Sequence, residues 1–189
     1  YSSAASDVYK RQELEAGLEY KVIKHILNSA GIERFTDYQM DMVRLGIGLY
    51  GVSASGQKGL RNISTLKTTI LQIQNVPAGD SIGYSRMSYV KRDSRIAIIP
   101  IGYADGLDRH FSNGGGEVVI NGHRCPIIGN ICMDACMIDV TDTDAHEGDS
   151  VIIFGEELPV SELSDKLKTI PYEILTSISP RVKRVYYRE

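Results

Sequence analysis

The chain has 189 residues, 42% of them hydrophobic and 24% charged, with a formal net charge of −3. These are ordinary globular proportions, which exclude a disordered tail and a collagenous chain. The basic residues are interleaved with acids and apolar residues, which argues against a nucleic-acid partner, and the length falls short of the about 250 residues of a complete (β/α)₈ barrel.

Residues 1–12, YSSAASDVYKRQ, have no apolar period, resemble translated sequencing-adapter read-through and are read as a non-native leader. Residues 14–27 give a mixed period that reads as a helix ended by Asn28-Ser29-Ala30-Gly31, a tight small-residue loop. Residues 35–39 read as a short helical turn. The run 40–46, apolar with embedded charge and closed by Gly46, reads as a buried strand entering a loop. The Ser/Gly-rich stretch 53–57 is the best domain boundary.

Beyond it the texture changes. Residues 63–76 alternate, and Pro77-Ala78-Gly79-Asp80 is a turn signal. Strands are expected at 94–100, at 118–123 with an Asn121-Gly122 hairpin turn returning through 125–128, at 137–140, at 149–154 and at 178–187. Residues 160–167 read as a helix with Ser161 as its cap. Short strands at close intervals with Gly, Asn and Asp turns indicate an all-β barrel or sandwich from about residue 58 onward.

Three cysteines, Cys125, Cys132 and Cys136, do not suggest a disulfide framework. No second ligand pair accompanies Cys132 and Cys136, so they read as buried apolar thiols on strands in a reducing cytosol, with no metal. The loop 142–147 begins like a calcium loop but has Glu147 where glycine is needed, and reads as a solvated acidic loop. The longest apolar run, 96–101, is far shorter than the roughly 20 residues that span a bilayer, and no signal-peptide pattern is present. A cytoplasmic protein without membrane partners is expected. His25 reads as a loop residue, and His110, His123 and His146 as surface.

Three segments carry specific wording: His25-Ile26-Leu27-Asn28-Ser29-Ala30-Gly31 followed by Asp41-Met42-Val43-Arg44-Leu45-Gly46-Ile47; Pro100-Ile101-Gly102-Tyr103-Ala104-Asp105-Gly106; and Gly129-Asn130-Ile131-Cys132-Met133-Asp134. Taken singly, the first pair are tight turns, Arg44 is a buried guanidinium in an ion pair with Asp41 or another carboxylate, and Tyr103 is a strand-end residue supporting a turn. In this order and spacing, from about residue 20 to the end, they closely resemble alanine racemase. The closing wording, Ile170-Pro171-Tyr172-Glu173 through Val185-Tyr186-Tyr187, resembles the racemase half of Bacteroidetes-type chains that fuse a muramoyl-peptide ligase to alanine racemase.

The resemblance implies an α+β chain: a mainly β C-terminal domain, a barrel, over 58–189, preceded over 13–57 by the remnant of a pyridoxal-phosphate-binding α/β barrel. It implies racemisation of L- and D-alanine with pyridoxal 5′-phosphate, supplying D-alanine for peptidoglycan, in a homodimer whose active site is shared between subunits. The Ser29 hydroxyl and the backbone amides of Gly46 and Ile47 would hold the phosphate, since an anion approaching the main chain needs donors without bulk. Arg44 would face the pyridine nitrogen and weaken the ring as an electron sink. Tyr103 would be the base that removes the α-proton of L-alanine; a phenol titrates near 10 unless cations or donors tune it. Met133 would offer its backbone amide to the substrate carboxylate, and Asp134 would orient that loop.

Departures from the family accompany these matches. The family's cofactor lysine and its carboxylate-gripping barrel arginine have no counterpart, so the chain is expected to be a C-terminal part that is inactive alone. At Ile178-Ser179-Pro180-Arg181-Val182 a proline stands where some members have a phosphate-contacting tyrosine. The competing readings are a non-catalytic β-domain binding or dimerisation module, and a related pyridoxal-phosphate amino-acid decarboxylase, which lacks the Gly-Tyr-Ala-Asp-Gly and Cys-Met-Asp wording.

Overall fold

The computed structural model describes residue 10 and residues 13–56, 59–86 and 88–187. The chain divides into two compact units, 1–63 and 64–189. The expected leader, 1–12, lies outside the described residues except for Lys10, as do Gln57 and Lys58 at the expected boundary.

In the leading unit, 14–27 is not a helix. Helical structure stops near residue 16, and 21–28 has no regular secondary structure. The carbonyl of Lys24 accepts from Asp41 N and Met42 N, the carbonyl of Leu27 accepts from Arg44 N, and Lys24 N donates to Asp41 Oδ2 at 2.9 Å. Segments 24–27 and 41–44 therefore run side by side in one direction. The mixed period of 14–27 could bury no single helical face, whereas the chain at 24–27 bonds its main chain to 41–44. Nor is 40–46 a buried strand: no ladder forms, and Met42 and Leu45 are exposed. The helix lies where a stop was expected. Helix α1, Ser29–Arg34, starts at Asn28, whose side chain accepts from Gly31 N. The short turn expected at 35–39 is a 3₁₀ turn, Thr36–Tyr38.

In the second unit the alternating sequence folds as read. The strands are β1 (Leu66–Thr69), β2 (Gln72–Val76), β3 (Ser81–Ile82), β4 (Ser88–Tyr89), β5 (Ser94–Ile99), β6 (Glu117–Ile120), β7 (His123–Ile128), β8 (Cys136–Asp139) and β9 (Ser150–Phe154). Seven of them form one sheet in the order β1-β9-β6-β7-β8-β5-β2, with antiparallel neighbours, and β3-β4 pair separately. The two edges of that order, β1 and β2, are consecutive parts of one extended stretch. Ile70 N donates to Asp149 O and Leu71 N to Ile98 O between them. The stretch thus passes from one edge of the sheet to the other and closes it as a barrel, which removes the exposed edges. Asn121 and Gly122, at φ of 49° and 78°, form the hairpin turn between β6 and β7.

The core is aliphatic. Val118, Ile120, Ile127, Ile138, Val151 and Ile153 are buried on adjacent strands. Helix α2, Val160–Leu167, buries Val160, Leu163 and Ser164, spaced to share one face. Ser161 is not its cap: Pro159 occupies that place without a side-chain bond, and the Ser161 carbonyl accepts from Ser164 Oγ. Helix α3, Pro171–Ser177, was not anticipated; Pro171 opens it, a position where the missing N–H costs nothing. The expected closing strand, 178–187, is absent among the described residues. Pro180 cannot donate to a ladder, and Arg184 donates to the carbonyls of Ile178, Ser179 and Val182, which folds the segment into a turn.

Candidate active site

Tyr103 follows β5 and sits on a 3₁₀ turn, Tyr103–Asp105, closed by Gly106 at φ 109°. Two main-chain bonds join this turn to the loop after β7: Tyr103 N donates to Cys132 O at 3.1 Å and Ala104 N to Met133 O at 3.0 Å. Gly102 makes the approach possible, since a Cβ there would lie 2.3 Å from Cys132 O and 2.4 Å from Met133 O. The glycine is needed for close contact, not for an unusual φ.

The Asp105 carboxylate works on both sides. Its Oδ2 accepts from Gly102 N at 2.9 Å and its Oδ1 from Arg181 Nε at 2.7 Å. Arg181 also donates through Nη2 to Asp134 Oδ1 at 2.7 Å, and these two carboxylates hold the guanidinium pKa above its ordinary value. One guanidinium thus joins the Tyr103 turn, the Met133 loop and the segment after α3. Tyr103 and Met133 are 42% and 54% exposed, so both face solvent and remain open to a ligand. The Arg109 guanidinium lies 5.9 Å from the centre of the Tyr103 ring, within cation–π range.

Described by itself, the leading unit brings the expected phosphate-site residues together. Ser29, the first residue of α1, is buried. Its Oγ accepts from Gly46 N at 2.9 Å and Gly48 N at 3.3 Å. A hydroxyl has two acceptor lone pairs and one donor proton, so both lone pairs are used and the proton remains to be donated. The Gly46 amide, read from sequence as a direct anion donor, is directed at Ser29 here. Ile47 follows on the 3₁₀ turn Ile47–Tyr50. A hydroxyl donor braced by two amides, beside the Ile47 main chain in a glycine loop, suits an anion such as phosphate.

Arg44 is exposed rather than buried, and its Nη2 donates to Ile26 O at 2.9 Å. Asp41, the partner weighed for it, instead accepts from Lys24 N. His25, His110, His123 and His146 are exposed. Among the described residues no cluster of potential metal ligands occurs. Cys125 on β7 and Cys136 on β8 are buried, which pushes their thiols up to about 11 and about 12. Cys132 corrects the expectation of three strand thiols: it is half-buried and in a loop.

Sequence reasoning missed Arg181 and Asp105. A signal existed: two motif carboxylates, Asp105 and Asp134, call for a cation, and Arg181 lies in a tail rich in arginine.

Comparisons with known proteins identify the family. Residues 63–186 match the family "Alanine racemase, C-terminal domain" and residues 8–54 match "Alanine racemase, N-terminal domain". Alanine racemase 2 of Caldanaerobacter subterraneus subsp. tengcongensis is 44% identical over 190 aligned positions, 96% of this chain and 48% of that protein. Alanine racemase of Clostridium tetani is 40% identical over 185, 93% of this chain and 48% of that protein. Among solved structures, alanine racemase from Bartonella henselae with covalently bound pyridoxal phosphate superposes with a TM-score of 0.90 at 38% identity, over 99% of this chain and 53% of that one. Alanine racemase from Bacillus anthracis with bound L-Ala-P gives 0.88 at 33%, over 97% and 50%. The chain spans about half the length of the curated relatives it matches. These relatives lend no support to the expected likeness to a ligase-fused chain.

Proposed function

This chain belongs to the alanine racemase family, and on that premise we propose that the protein interconverts L- and D-alanine with pyridoxal 5′-phosphate, in the cytoplasm, as a homodimer that supplies D-alanine for peptidoglycan. The observation that carries this reading is the joining of the Tyr103 turn to the Met133 loop, with both side chains open to solvent. Such a surface presents one proton-accepting phenol beside a loop whose main chain can receive a carboxylate.

When bound, pyridoxal 5′-phosphate supplies an electron sink that makes the α-proton of an amino acid removable. The residues that would hold it are Ser29, through its uncommitted O–H and itself braced by the Gly46 amide, the main-chain amide of Ile47, and Arg44. A guanidinium keeps its proton, so Arg44 facing the ring nitrogen would leave that nitrogen unprotonated and limit the sink. Return of the proton is then favoured over transamination. Tyr103 Oη takes the α-proton of L-alanine, with the Arg109 cation over its ring, and the Met133 N–H holds the substrate carboxylate.

The cofactor-loaded protein is expected to interconvert the alanine enantiomers and to exchange the α-proton with solvent. A loaded protein that does neither contradicts the reading. The 189-residue polypeptide by itself is expected to do neither, because no lysine in it is assigned to the cofactor. Arg44→Glu in the loaded protein is expected to raise keto-acid formation from alanine, followed by NMR; an unchanged level would remove Arg44 from the proposed role.

A further inference from the structure

We propose that Arg181 is a positioning residue that sets the distance between the proton-accepting Tyr103 and the carboxylate-receiving Met133 loop, an inference that rests on the roles proposed above. The Tyr103 turn and the Met133 loop share two main-chain bonds, both near the turn's start. Asp105 ends the turn and Asp134 follows Met133 in the loop, and Arg181 takes one carboxylate on Nε and the other on Nη2, each at 2.7 Å. The segment carrying Arg181 is itself fixed. Ser179 N donates to Asp105 O at 3.0 Å, Ser177 Oγ donates to Gly106 O, and Arg184 holds the carbonyls of Ile178, Ser179 and Val182.

The Asp105 side chain is largely buried, so its bond to Arg181 also supports the fold, but stability does not account for the Asp134 half of the arrangement. The Arg181 and Asp134 side chains are 46% and 64% exposed, and exposed ion pairs contribute little. What the pair of bonds does fix is geometry. A guanidinium is a rigid plane with separate donors, so it holds two carboxylates at a set spacing; an ammonium is a single point on a flexible stem and cannot hold both in the same way. Placement matters for proton transfer, since about 1 Å of misplacement can lower a rate about 100-fold.

The test labels the chain with 3-fluorotyrosine and follows its eleven tyrosines by ¹⁹F NMR, with the Tyr103 resonance assigned from its loss in Tyr103→Phe. Arg181→Gln and Arg181→Lys are both expected to shift or broaden the Tyr103 resonance while those of tyrosines remote from the turn stay in place. Should Arg181→Gln fail to fold, Asp134→Ala, which removes the exposed half of the clamp, is expected to move the same resonance less. A Tyr103 resonance unmoved in the folded variants overturns the proposal. In the cofactor-loaded protein the Arg181 variants are expected to lose about 10- to 100-fold in kcat, with KM within about 3-fold of wild type. A wild-type kcat overturns the positioning role. A cofactor-loaded wild-type protein with no racemase activity overturns the functional reading instead, and the ¹⁹F result still decides whether Arg181 sets the Tyr103 turn.

Discussion

The leading unit and the β domain spend their apolar residues differently. Among the described residues, the buried hydrophobic side chains lie in the β domain, apart from Leu27 and Ile47. The leading unit leaves Tyr20, Ile23, Met42, Leu45 and Leu49 exposed. The β domain propagates order through a closed antiparallel ladder. The leading unit holds its shape through individual tethers: Ser29 to the Gly46 loop, Asp41 to Lys24, and Glu33 to Ser53 and Ser55. A substitution in the β domain therefore costs packing, and one in the leading unit releases a segment.

Paired truncations should break this contrast most visibly. Ile138→Ala, fully buried between β5 and β7, is expected to cost about 2–5 kcal/mol in urea unfolding. Ile23→Ala, at 71% exposure, should stay within about 0.5 kcal/mol. Equal losses would refute the division. Next in size, Gly102→Ala drives a Cβ into two backbone carbonyls that cannot turn aside. It should cost about 1–3 kcal/mol and displace the Met133 loop, read as chemical-shift changes centred on 132–134.

Smaller effects sharpen the picture of the leading unit. Ser29→Ala removes the acceptor of the Gly46 and Gly48 amides and should cost about 1 kcal/mol. It should speed hydrogen exchange at both glycines and leave β-domain amides unchanged. The smallest effect is a pH dependence. Hydrogen bonds from Ser55 foremost, and also from Ser53 and Ala54, outweigh desolvation and hold the Glu33 carboxyl below its ordinary 4.5. A carboxyl lowered by folding stabilises fully above its unfolded value and ceases to as pH falls through its folded value. The amides of Ala54 and Ser55 should therefore lose protection below about pH 4.5, and Glu33→Gln should remove most of that dependence.

The legible part of the fold was the part with strong local rules. The Asn121-Gly122 turn, the period of two in 63–76, and the spacing of Val160, Leu163 and Ser164 each specify one conformation. The leading unit misled because its apolar residues do not mark a core that the segment itself contains, so periodicity at 14–27 and 40–46 had nothing to report. The missing helix α3 and the false strand at 178–187 share a cause. Pro171 and Pro180 carry positional meaning, one opening a helix and the other blocking a ladder, which apolar patterning does not register. At the candidate site, Tyr103, Met133 and Ser29 were legible through motif wording. Arg181 was not: its two partners lie 47 and 76 residues away, and only the fold shows that one side chain reaches both.

The proposed role of Tyr103 as acceptor of the α-proton of L-alanine can be probed by solvent-deuterium exchange into L-alanine catalysed by the cofactor-loaded protein, wild type against Tyr103→Phe, with cofactor binding followed by absorbance. Exchange is expected to fall by at least about 100-fold, the scale of a lost general base, with cofactor binding retained. Exchange at the wild-type rate in the variant would contradict that role.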